Sequence, residues 1–174
     1  VKDQHSEAGM TVVSKNDALR MSFTGRLRSE TLEGLFVDPK WGKGHFEGDF
    51  SVNLPKKSKT LATAQGNLKG TNVVIPLGSG DDVSIEQVLL EANGSTVQAN
   101  ASTLTWRDFT WNPLTASINF EHDTLRIKVD RAELCGIHSP GVVDIAGKEF
   151  DLDVTLQGTN LDIATSYSCL SQGR

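Results

Sequence analysis

The chain has 174 residues, of which 37% are hydrophobic and only 6% aromatic, and its formal net charge is −5 at pH 7. This length predicts one domain with an aliphatic core, and the negative balance argues against nucleic-acid binding, which normally needs clustered basic residues. No apolar run approaches the roughly 18 residues of a membrane-spanning helix, and the start VKDQHSEAGM lacks the layout of a signal peptide. We expect residues 1–174 to form a single domain cut from a longer protein.

Alternation of apolar and polar residues is the main pattern along the chain. It appears in residues 18–27 and is clearest in residues 44–54, where Phe46, Phe50 and Val52 share one side of the predicted strand. The other side carries charged and amide side chains. Such a strand has one face in a core and one face in water.

Two segments also carry apolar residues at helical intervals. They are residues 29–36, SETLEGLF, and residues 84–94, SIEQVLLEANG, where Ser84 and Gln87 can form a capping box. The second segment also reads as part of two strands joined at Asn93-Gly94, a dipeptide typical of tight hairpins. We favour the hairpin.

Residues 105–112, TWRDFTWN, concentrate aromatic side chains. Trp106, Phe109 and Trp111 suggest a platform for a sugar, but the two indoles are five residues apart and would lie on opposite faces of one continuous strand. Core packing of at least one indole is the simpler interpretation. Asn112-Pro113 predicts a turn.

Three further alternating runs follow, in residues 116–120, 125–129 and 150–156. Short turn signals separate the runs, which predicts an all-β, mostly antiparallel meander. Its repeated apolar face either closes on itself as a sandwich or stays open and needs another apolar partner.

Cys135, His138 and Ser139 fall within five positions of each other and raise the question of a reactive or metal site. A lone Cys-x-x-His has no second half for zinc, and successive side chains of a strand point to opposite sides, so adjacency does not make a catalytic pair. Ser139-Pro140-Gly141 predicts a turn that ends the strand. The paired carboxylates Asp81-Asp82 and Asp151 with Asp153 are interpreted as solvated surface. We predict no catalytic residue, metal or cofactor, and no enzyme.

The two cysteines, Cys135 and Cys169, permit one disulfide across 34 residues. Two buried free thiols are the alternative. We favour the bridge, provided that the compartment is oxidising.

The order of these segments resembles the AsmA-like, TamB-related envelope proteins of Gram-negative bacteria. The resemblance covers residues 18 to 170. It rests on a strand ending in L-x-G, a short polar turn, a G-x-F strand, and the line VSIEQVLLEANGSTVQANASTL.

This resemblance implies a curved, trough-like or half-open sheet whose apolar interior shields acyl chains between the inner and outer membranes. It implies a periplasmic protein, anchored to the inner membrane through a segment absent from this chain, whose partners are lipid acyl chains and neighbouring segments of the longer chain or envelope proteins. An oxidising periplasm agrees with the disulfide. The residues expected to line the groove are Phe46, Phe50, Val52, Ile118, Phe120, Leu125, Ile127, Val129, Leu152, Val154 and Leu156.

The alternative function is a secreted carbohydrate- or protein-binding β-sandwich. Exposed, coplanar indoles in residues 105–112 would favour it, and buried indoles would favour the trough or a plain core.

Overall fold

β-strands account for most of the computed structural model, which describes residues 2, 6–15, 18–31, 43–55, 62–76, 82–121, 124–146, 149–158 and 160–171. The strands are β1 Glu7–Ser14, β2 Ala18–Leu27, β3 Lys43–Pro55, β4 Thr63–Pro76, β5 Asp82–Gly94, β6 Thr96–Ala101, β7 Leu104–Trp106, β8 Phe109–Glu121, β9 Thr124–Leu134, β10 Ile137–His138, β11 Gly141–Ala146 and β12 Glu149–Val154. Helix α1 spans Ile163–Ser171.

All twelve strands belong to one antiparallel sheet, in the order β1-β2-β3-β4-β5-β6-β8-β9-β11-β12. The two short strands lie off this path, with β7 beside β5 and β8, and β10 beside β9. No described strand or helix forms a second layer on the sheet. The prediction of an all-β meander with a curved, half-open sheet is confirmed, and the described strands take the open form rather than the sandwich.

The segment SIEQVLLEANG forms a hairpin, as favoured, and not a helix. It supplies most of β5, and Asn93 pairs with Thr96 at the start of β6. Gly94 has a φ of 71°, which a side chain would disfavour and glycine tolerates. Of the other candidate helix, Ser29–Thr31 are helical and residues 32–36 lie outside the described residues.

The turn predicted at Asn112-Pro113 is wrong. The chain reverses at Arg107-Asp108, where Trp106 pairs with Phe109, and β8 continues through Pro113. Proline is tolerated here because the pairing of β8 with β9 shifts register between Trp111 and Leu114, and a bulge does not need every backbone N–H.

The turn after β9 comes earlier than predicted. Cys135 and Gly136 have φ values of 55° and 78°, the pattern of a two-residue hairpin turn, and Leu134 pairs with Ile137 across it. Ser139 and Pro140 only interrupt the returning strand, because β10 and β11 both pair with β9. Sequence reasoning missed this because a cysteine rarely takes a left-handed conformation.

Two glycines inside strands show how the sheet accommodates its curvature. Gly48 in β3 and Gly66 in β4 have φ values of 152° and 102°. A Cβ on Gly48 would collide with the carbonyl oxygen of Asn67, and one on Gly66 with that of Asp49. Glycine kinks of this kind let paired strands bend closely together, which a flat sheet does not require.

The core consists of small residues. The buried hydrophobic residues in the described part are Ala8, Ala18, Leu27, Ala64, Val73, Val97, Ala101, Ala116 and Ala132. No large side chain among the described residues is fully buried. The larger apolar side chains therefore remain partly accessible on the sheet.

Candidate functional site

Paired residues of the antiparallel strands align into rows that cross the sheet. Directly opposed residues of neighbouring strands point to the same face of the sheet, so the register determines which side chains make up each row. The longest apolar row crosses ten strands and contains Met10, Phe23, Phe50, Gly66, Ala92, Val97, Ile118, Ile127, Val143 and Leu152.

Two further rows lie beside it on the same side. One contains Ala8, Gly25, Gly48, Leu68, Leu90, Ala99, Ala116, Val129, Gly141 and Val154. The next contains Leu27, Phe46, Gly70, Val88, Ala101, Leu114 and Ala132. We call these three rows together the apolar face.

The opposite side of the sheet, which we call the polar face, carries polar side chains in each of the ten strands of the main path. Its central row contains Thr11, Ser22, Ser51, Gln65, Asn93, Thr96, Asn119, Arg126, Asp144 and Asp151. None of these ten residues is hydrophobic, so water covers this face without cost.

Ion pairs join neighbouring strands on the polar face. Arg126 binds Asp144 through two hydrogen bonds of 2.8 and 2.9 Å, and Arg26 binds Glu47 at 2.9 Å. The hydrogen bond from Arg126 lowers the pKa of the Asp144 carboxyl, and the hydrogen bond from Arg26 lowers that of Glu47. Both carboxylates are therefore held in their charged forms.

The two faces differ in burial as well as composition. Val97 and Ala116 near the middle of the apolar face are each only 4% exposed, whereas their polar-face neighbour Gln98 is exposed. Exposure rises at the two edges, to 65% for Met10 and 56% for Leu152. Since no described strand or helix lies over the apolar face, its side chains are shielded chiefly by one another.

The register brings ten of the eleven predicted groove residues to one side of the sheet. Seven lie in the three rows of the apolar face, Val52 lies in a neighbouring row with Met21, and Phe120 pairs with Leu125. Val154, one of the seven, ends β12. Leu156 lies beyond the end of β12 and is 71% exposed, so it does not extend these rows.

Sequence reasoning missed the contribution of the smallest residues and of β1. Gly66 and Gly70 occupy apolar positions in β4, which hides the alternation of that strand. Met10 continues the longest row onto β1. Counting glycine and alanine as apolar positions reveals the alternation of β4, and counting alanine reveals that of β1.

The aromatic segment does not form a flat exposed platform. Trp106 and Trp111 lie on two different strands, β7 and β8, so the argument from one continuous strand does not apply, and both side chains are half-buried. The rings of Phe109 and Trp111 are tilted by 50°. The indole nitrogen of Trp106 is buried and has no hydrogen-bond partner among the described residues.

The predicted disulfide between Cys135 and Cys169 is present, with Cα atoms 5.8 Å apart. It joins the turn after β9 to α1, and Ser166 of the helix donates a hydrogen bond of 2.9 Å to the Cys135 carbonyl. Asp162 caps the helix by accepting hydrogen bonds from Thr165 and Ala164, and those from Thr165 lower its pKa most. Cys135 is thus part of a structural link.

The other polar clusters do not converge. His138 lies 3.8 Å from the Glu133 carboxylate, while His5, His122 and Asp81 lie outside the described residues. In the described part of the chain, no three His, Cys, Asp or Glu side chains group as metal ligands do. No helix among those residues has the length and hydrophobicity to cross a bilayer.

Four of the surface pockets lined by described residues open mainly on the polar face. The largest of these four has a volume of about 640 Å³ and lies across β1 to β5. Of the predicted groove residues, only Val52 and Phe46 line any of the four. These four pockets therefore lie mainly outside the apolar face.

No protein-family model, curated protein or solved structure matches the chain. Its function therefore has to be inferred from what the two faces of the sheet can bind.

Proposed function

We propose that the apolar face binds lipid acyl chains, and that the chain is a non-catalytic segment of an AsmA-like envelope protein that conducts lipid between the inner and outer membranes. The observation that carries this proposal is the longest apolar row, which crosses ten strands without a polar residue. No described strand or helix covers it.

The dimensions and energetics of the row suit an acyl chain. Neighbouring strands are about 4.8 Å apart, so ten strands give a row of roughly 43 Å. The acyl chains of one membrane leaflet occupy about half of a hydrocarbon core of roughly 30 Å. Transfer of each CH₂ group from water to the face would contribute about 0.8 kcal/mol, with little selectivity between head groups.

The disulfide supports the proposed location. Cys135 and Cys169 are bridged, and such bonds persist in oxidising compartments, of which the bacterial periplasm is one. We place the protein there, anchored to the inner membrane through a segment outside this chain. Neighbouring segments or other envelope proteins would continue the groove beyond β1 and β12, the two ends of the strand order.

The proposal is tested by measuring lipid on the purified chain. Protein exported to the periplasm should release phospholipid into organic solvent, detected by mass spectrometry, and should bind a fluorescent fatty acid saturably. Replacing Ile118 in the middle of the longest row with glutamate, Ile118→Glu, should weaken fatty-acid binding about tenfold or more, because a charge would face the acyl chain.

The matched control is Ser117→Glu, which adds the same charge to the same strand on the polar face, opposite Lys128. It should bind the fatty acid as the unchanged chain does. If Ile118→Glu does not fold, Leu152→Glu at the more exposed edge provides the comparison. Lipid-free protein without probe uptake, or equal losses in the Ile118 and Ser117 variants, would refute the proposal.

A further inference from the structure

The pocket across β1 to β5 on the polar face has an unusual lining. Its volume of about 640 Å³ lies within the range of small-molecule sites. The polar side chains around it include Arg20, Ser22, Ser51, Asn53, Gln65 and Asn93. It therefore combines one cation with several hydroxyl and amide groups beside the apolar residues Val13, Met21, Val52 and Ala64, and none of its lining residues is a carboxylate.

The other three pockets differ in charge. Each contains at least one carboxylate: Glu47 in one, Glu7 in the next, and Asp144 with Asp151 and Asp153 in the third. In a protein of net charge −5, the Arg20 pocket is thus the one of the four where an anion would meet no acidic side chain in the lining.

The ion pairs of the arginines also favour an anion at Arg20. Arg26 and Arg126, on the same face, are each bound to a carboxylate. Arg20 forms no ion pair with a described residue; its Nε donates a hydrogen bond of 3.2 Å to the side-chain oxygen of Asn53. That bond ties the exposed guanidinium of β2 to Asn53 of the neighbouring strand β3.

We propose that this pocket binds a phosphate ester, with Arg20 holding the phosphate oxygens. A planar guanidinium matches phosphate geometry with two parallel hydrogen bonds, which a point charge cannot do. The volume exceeds what a phosphate group needs, and the serine hydroxyls and the amides of Gln65 and Asn93 suit the hydroxyl groups of a polar substituent. A soluble phosphate monoester and the head group of a phospholipid share this chemistry.

The pocket opens mainly on the polar face, away from the three rows of the apolar face, and it would take a phosphate rather than an acyl chain, so it does not depend on the proposed function. The test uses glycerol 3-phosphate at constant ionic strength, followed by nuclear magnetic resonance of the nitrogen-labelled chain. We expect saturable shifts of the Arg20 Nε–H and of the Ser22 and Ser51 amides. Arg20→Gln should weaken binding about tenfold, and Arg20→Lys by less.

Arg131→Gln is the matched control, since Arg131 is exposed, has no carboxylate partner among the described residues and lines none of the four pockets. It should leave binding unchanged. Equal losses in both glutamine variants, the same shifts with glycerol alone, or no saturable binding would overturn the proposal.

Vesicles of phosphatidylglycerol identify the source of the phosphate. Vesicle binding that Arg20→Gln abolishes supports a lipid head group. Binding of glycerol 3-phosphate without vesicle binding supports a soluble ester.

Discussion

The two faces of the sheet are built from the same strands but are held together differently. On the apolar face, residues such as Val97 and Ala116 are buried in rows that continue from strand to strand. On the polar face, contacts are pairs, such as Arg126 with Asp144, and the surrounding side chains are exposed. Stability should therefore be concentrated on one face, while the other can vary its chemistry locally.

The largest difference in stability between the two faces is expected for substitutions of glycine. Gly66→Ala on the apolar face should lower the free energy of unfolding by roughly 2–4 kcal/mol, because the new methyl would strike the Asp49 carbonyl at a left-handed φ. Gly9→Ala on the polar face should change it by less than about 0.5 kcal/mol, since the new methyl meets only the Thr24 hydroxyl at 3.1 Å. Urea unfolding of both variants checks this, and equal losses would remove the distinction between the faces.

A smaller contrast is expected for adjacent residues of β6. Val97→Ala should cost about 2 kcal/mol, because Val97 is 4% exposed and its loss leaves a gap in the longest row. Gln98→Ala, one residue along on the polar face, should stay within about 0.5 kcal/mol. Thermal unfolding of the pair measures the difference, and a larger loss for Gln98 would reverse our assignment of the faces.

The smallest expected effect is the pH dependence of the stability that Asp144 contributes. The hydrogen bond from Arg126 lowers the pKa of Asp144 in the folded chain, so this interaction stabilises the fold above the unfolded pKa of about 3.9 and is lost as pH falls through the lower folded value. The stability difference between the unchanged chain and Asp144→Asn should shrink on acidification from about pH 5 to below the folded pKa. Since the ion pair between Arg126 and Asp144 is exposed, added salt should also reduce this stability difference. A difference that grows on acidification would contradict this sign.

The faces of the longer strands could be predicted from sequence because the alternation of a strand is local. The alternation alone predicts that Ile127 and Val129 share one side of β9, and the register sets Ile127 opposite Ile118 of β8. The tight turns could not be predicted as well, since Arg107 and Cys135 take left-handed conformations usually reserved for glycine or asparagine. β4 was obscured because Gly66 and Gly70 stand where larger apolar residues would mark the pattern.

Neither the rows nor the Arg20 pocket follow from local pattern. They depend on register, which joins residues as distant in sequence as Met10 and Leu152 through eight intervening strands. Likewise, the number of cysteines permitted the bridge, but only the fold places Cys169 of α1 beside the turn at Cys135.

The open sheet also has a consequence for self-association. A strand at the end of a sheet is a template for adding another strand, and β1 and β12 hold these positions. Asp151 and Asp153 are exposed on β12, so two copies meeting through that edge would bring like charges together. A strand with basic residues at the matching positions would meet no such repulsion. The charges on β12 therefore disfavour pairing of two copies of the chain through that edge.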